Sequence, residues 1–139
     1  MAARLADLGA DDVIDYRAVP DWPDKVRELT GGRGADRIVD VAGLLEQSLN
    51  AVAIAGHLAC VGFVSDTATP IDPRALFASG ATVRAVAVGS RAQFLAMNRA
   101  IEVNRLHPVI DRVFAFDEAP DAYRYYASGQ ALGKVVIAM

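Results

Sequence analysis

Strand and helix signals alternate along the whole of this chain, and that alternation limits its fold more than any other feature. Residues 36–42 (Asp-Arg-Ile-Val-Asp-Val-Ala), 57–63 and 82–88 are short apolar runs, and the first stops at Gly43. Between the first two, Leu45, Ser48, Leu49, Val52 and Ala53 share one face of a helix predicted over 45–54, ended by Gly56. Strands that read as near-continuous apolar runs are covered on both faces, the habit of parallel strands joined by helices. The sequence therefore predicts an α/β fold around a mainly parallel sheet.

The remaining elements fill in that plan. Residues 2–8 read as a helix stopped by Gly9, and Val13–Tyr16 as a short strand. A helix over 22–30 follows, with Asp21 as its N-cap and Pro23 in its first turn. Gly31-Gly32-Arg33-Gly34 is a turn, and 65–73 is the main loop. Arg74–Ala78 reads as a short helix, 91–105 as a longer one and Val109–Phe114 as a strand. Asp117 caps a helix reaching Ser128, and Lys134–Ala138 closes with a strand. A chain of 139 residues suffices for one domain with a real core, so 1–139 is read as a single domain.

Composition narrows the function classes. Net charge is −3 with both signs interspersed, which leaves no electrostatic footprint for nucleic acid or an anionic membrane. The longest apolar region, Leu49 to Val64, is broken by Asn50, Gly56 and His57 and does not read as a membrane span. The first residues carry no apolar stretch of a signal peptide. A single cysteine excludes an internal disulfide framework and fits a reducing compartment, so a cytoplasmic location is expected. The apolar fraction of 53% is high for a soluble domain, as buried parallel sheet or a surface awaiting a partner would make it.

The side chains capable of chemistry do not form a catalytic pattern. Cys60 lies mid-strand between Ala59 and Val61, where a cysteine acts as a small apolar residue, and it has no neighbours for a zinc site. His57 and His107 flank turns. Ser65 and Ser90 lack a G-x-S-x-G setting and a placed His/Asp partner. Asp111, Asp117 and Glu118 read as cap and surface charges. The 31–34 glycines precede a strand instead of opening a helix, so they read as a turn and not a phosphate loop. Tyr123, Tyr125 and Tyr126 read as packing or solvent-facing residues on a helix.

Five ordered segments carry a resemblance. They are Leu8-Gly9-Ala10-Asp11-Asp12-Val13-Ile14-Asp15-Tyr16, Leu29-Thr30-Gly31-Gly32-Arg33-Gly34-Ala35-Asp36 and Val39-Asp40-Val41-Ala42-Gly43, then Gly56-His57-Leu58-Ala59-Cys60-Val61-Gly62 and the tail from Gly129 through Gly133-Lys134-Val135-Val136-Ile137. Together they resemble the medium-chain dehydrogenase/reductase superfamily, which includes zinc-type alcohol dehydrogenases and quinone oxidoreductases. Val88-Gly89-Ser90-Arg91 and Arg105-Leu106-His107-Pro108-Val109-Ile110-Asp111 look closest to the zinc-type alcohol dehydrogenase-like branch.

The resemblance implies a Rossmann-like cofactor half that binds NAD or NADP across its switch point. Residues 13–16, 37–42, 57–63 and 82–88 match its strands 3, 4, 5 and 6. Strands 1 and 2 have no match here, and no G-x-G-x-x-G follows a strand anywhere. The expected fold is thus an incomplete Rossmann-like sheet without the glycine loop that lets backbone N–H groups approach a pyrophosphate. By position in the family, Val41, Ala42, Gly43, Val61, Gly62, Phe63, Ala85, Val86, Ala87 and Val88 would meet the nicotinamide end of the cofactor, and Lys134 its phosphates. No catalytic residue is expected, and zinc would be held only through a preceding catalytic domain.

The resemblance also implies a sheet with a gap of roughly 14 Å where two strands are missing. Strand 13–16 could pair directly with 37–42, detach, or leave the position to another chain. An open apolar edge favours association, and the family commonly pairs through its strand 6, so a homodimer through residues 82–88 is expected. The leading reading is the C-terminal cofactor-domain part of an NAD(P)-dependent oxidoreductase acting on an alcohol or carbonyl, inactive by itself. The alternatives are a stand-alone dimerisation module derived from the fold, and another nucleotide-fold enzyme such as a methyltransferase.

Overall fold

The computed structural model describes residues 2–64 and 71–139. Most of the predicted 65–73 loop, with Ser65, lies outside the described residues. The contacts gather into two compact units, Ala2–Val88 and Gly89–Met139, within the stretch that the sequence reads as one domain.

The first unit holds α1 (Ala2–Asp7), α2 (Trp22–Leu29), β1 (Ala35–Asp40), α3 (Leu45–Ala51), β2 (Val52–Cys60), α4 (Pro73–Ser79) and β3 (Thr82–Ala85). The strands form one parallel sheet in the order β1-β2-β3. Its core is Leu49, Ala51, Val52, Ala53 and Leu58, which lie where α3 meets β2. Two side chains tie α2 to this centre. The Trp22 indole N–H donates to Gln47 Oε1 at 3.1 Å. The Arg27 guanidinium donates to the carbonyls of Asn50 (2.8 Å) and Val52 (3.1 Å), satisfying acceptors that the end of α3 leaves open.

The second unit holds α5 (Arg91–Val103), β4 (Ile110–Ala115), a 3₁₀ turn at Phe116–Glu118, α6 (Ala119–Ala127) and β5 (Lys134–Ala138). β4 and β5 pair in parallel. α5 starts on a capping box: Ser90 Oγ accepts from Gln93 N at 3.3 Å, and Gln93 Oε1 from Ser90 N at 2.7 Å. Phe114 and Ala122 are buried, and the Phe114 and Tyr125 rings lie 5.9 Å apart. The Arg112 guanidinium sits over both, 4.6 Å and 5.4 Å from their centroids.

Several predicted boundaries move, each for a physical reason. Residues 13–16 form no strand. Asp15 starts a turn instead, its carbonyl accepting from Ala18 N (3.0 Å) and Val19 N (2.9 Å) and its carboxylate from Arg17 N (3.0 Å). A strand needs a hydrogen-bonded neighbour, and local turn chemistry prevails where none is offered. Helix α3 stops at Ala51, and β2 starts at Val52, five residues before the predicted His57. Gly56 does mark a break, but one inside the strand. β1 pairs Ala35 with Val52 and then Arg37 with His57, so residues between Val52 and His57 loop out as an irregularity, with Ala55 at φ 60°.

β2 ends at Cys60 and β3 at Ala85, so Val61–Phe63 and Val86–Val88 leave the strands earlier than predicted. Asp21 stands at the N-cap of α2 without a side-chain cap bond. Asp117 lies inside the 3₁₀ turn and does not cap α6. The capping contact there is Glu118, whose Oε2 accepts from Ala115 N at 2.9 Å.

Candidate functional site

All three strands of the first sheet run the same way, so their C-terminal ends gather along one edge. That edge carries ten of the eleven residues expected to meet a cofactor. Val41–Gly43 follow β1, Val61–Phe63 follow β2, and Ala85 ends β3 ahead of Val86–Val88. Backbone bonds carry the ladder past the strand ends: Val61 N donates to the Asp40 carbonyl at 2.8 Å, and Val86 N to the Cys60 carbonyl at 2.8 Å.

Glycines let two of these segments touch. A Cβ on Gly62 would stand 2.9 Å from the Val41 carbonyl oxygen, too close for any side chain. Gly43 has φ +84°, and a Cβ there would lie 3.2 Å from the Phe63 ring. Around them the rim is open and apolar, with Val41, Phe63 and Val88 all exposed. Small residues and accessible backbone groups at parallel strand ends suit a flat ring bearing an amide.

Asp40, the last residue of β1, organises the edge, and it is absent from the predicted site. It is 6% exposed. Its Oδ1 accepts from the backbone N–H groups of Ala42 (3.0 Å), Gly43 (2.8 Å) and Leu44 (3.4 Å). Its Oδ2 accepts from the Ser48 hydroxyl at 3.1 Å. One carboxylate therefore fixes the turn after β1 and ties it to α3. The sequence signal was an acidic residue closing an apolar strand two residues before a small-residue turn, the setting for an aspartate that binds the backbone ahead of it.

Cys60 pairs in register with Asp40 on one side and Ala85 on the other. Burial pushes its thiol above the usual range, and the Asp40 carboxylate pushes the same way. Both effects disfavour the thiolate.

Beside the turn lies an open cleft of about 480 Å³, lined by Ile14, Tyr16, Trp22, Ala42, Leu44, Gln47 and Val64. Lys134, the eleventh predicted residue, belongs to the second unit. It starts β5, where its N–H donates to the Val109 carbonyl at 2.8 Å, and it borders a cleft of about 310 Å³ with Tyr123 and Tyr126. Among the described residues no helix is long and apolar enough to cross a membrane.

Parallel strands whose C-terminal ends collect a clamped turn and small residues are the arrangement of an α/β domain of Rossmann type. The chain belongs to the zinc-binding dehydrogenases, whose family model matches residues 8–137, within the medium-chain dehydrogenase/reductase superfamily of oxidoreductases. It is 34% identical over 136 residues to a zinc-type alcohol dehydrogenase-like protein of Schizosaccharomyces pombe, covering 94% of this chain and 39% of that one. A crystal structure of an NAD-dependent alcohol dehydrogenase superposes with a TM-score of 0.87 at 31% identity, covering 99% of this chain and 40% of the other. A mycobacterial protein complexed with NADPH gives 0.80 at 28% identity, covering 99% and 47%. The chain thus spans less than half the length of each, as an incomplete Rossmann-like sheet within an oxidoreductase cofactor domain.

At this edge Ala42, Gly43 and Gly62 leave small side chains and backbone groups beside the strand ends. No glycine loop for the pyrophosphate occurs in the sequence. The residues present do not fit a zinc site: among the described residues no three His, Cys, Asp or Glu side chains gather.

Proposed function

We propose that this chain is the C-terminal cofactor-domain part of an NAD(P)-dependent, zinc-type alcohol dehydrogenase-like oxidoreductase. The whole protein would transfer hydride between an alcohol or carbonyl and the nicotinamide ring, in the cytoplasm. The observation that carries this reading is the edge held by Asp40, which presents Ala42, Gly43, Gly62 and Val86 at the ends of three parallel strands.

In that role the chain's residues bind and orient. Gly43 and Gly62 leave room for a ring, and the turn fixed by Asp40 sets the direction of the 42–44 backbone. Val41, Val61 and Val86, each about half exposed, offer apolar contact at one side of the site. The cofactor, when bound, supplies the hydride acceptor or donor. Among the described residues none is placed to activate a substrate, and in this reading the chain by itself is inactive and any zinc is held by further sequence.

Reading the DNA upstream of the Met1 codon tests this. The expected result is an open frame running into a strand–GxGxxG–helix and a domain bearing Cys and His. An in-frame stop just upstream would overturn the reading in favour of a stand-alone interaction module.

The chain is also proposed to form a homodimer through residues 82–88. Among the described residues β3 pairs only with β2, and Val88, three residues past its end, is exposed, so the outer edge is open to a two-fold copy. Sedimentation equilibrium should give twice the monomer mass, and Val83→Pro, which disrupts that strand, should give the monomer. A wild-type monomer at tens of micromolar would rule the dimer out.

A further inference from the structure

We draw no further inference here: the strongest candidate, the open cleft of about 610 Å³ between α2, α3 and α4 with Asp21, Asp24 and Glu46 on its walls, is a cluster of carboxylates that nothing in the structure links to a ligand, since every buried polar side-chain atom among the described residues already has a hydrogen-bond partner.

Discussion

Replacing Asp40 by alanine is expected to lower the unfolding free energy by about 3–4 kcal/mol. Three backbone N–H groups and one hydroxyl converge on its two oxygens. The alanine variant leaves all four donors without an acceptor beside a buried position, and desolvated donors cost more than the bonds they lose. The bonds share one carboxylate, so their losses do not add fully. Asp40→Asn keeps one acceptor oxygen and should lose about half as much. Ser48→Ala removes a single donor and should cost about 1 kcal/mol. Urea unfolding followed by circular dichroism ranks the three. A loss below about 1 kcal/mol for Asp40→Ala would mean that the turn holds without its clamp.

Gly34→Ala should destabilise by about 3 kcal/mol or more, and Gly31→Ala, only three residues away, by about 1 kcal/mol. Both glycines have positive φ, +63° at Gly31 and +88° at Gly34, so both substitutions meet backbone strain. Only Gly34 meets a wall. A Cβ there would lie 2.7 Å from the Ala51 carbonyl oxygen and 2.9 Å from both Ala53 N and the Val52 carbonyl carbon. All three are backbone atoms at the junction of α3 and β2, which cannot yield as a side-chain tip would. At Gly31 nothing stands within 4 Å. Urea midpoints for the pair separate close approach from φ strain. Equal losses would show that the approach of the 31–34 turn to the α3–β2 junction does not matter.

The same contrast shows what the sequence could tell. Its alternating pattern was enough for the parallel sheet, since apolar runs at 36–42, 57–63 and 82–88 each contribute a strand. It identified the 31–34 turn, yet nothing in four residues reveals that one of their glycines faces the end of α3. Boundaries failed where a local signal met a distant partner. Gly56 reads as a turn, but the residues before and after it both find β1, so the break became an irregularity within β2. Val13–Tyr16 has the side chains of a strand and no neighbour to complete it, and Asp15 turned it instead.

The site divides similarly. The small residues after each strand were legible as an edge, because parallel strands bring their ends together. Asp40 was not, since its role depends on the chain folding back over it at 42–44 and on Ser48 arriving from α3.

Calorimetric titration of NADH and NADPH into the purified chain tests the central claim most directly. In the proposed reading the edge built on Asp40, Gly43 and Gly62 meets only the nicotinamide end, and the sequence has no glycine loop to hold the pyrophosphate. No saturable binding is expected below about 1 mM, a loss of at least about 4 kcal/mol relative to micromolar affinity. Saturable one-to-one binding at micromolar concentration, abolished by Gly43→Val, would contradict this and show a complete cofactor site within these 139 residues.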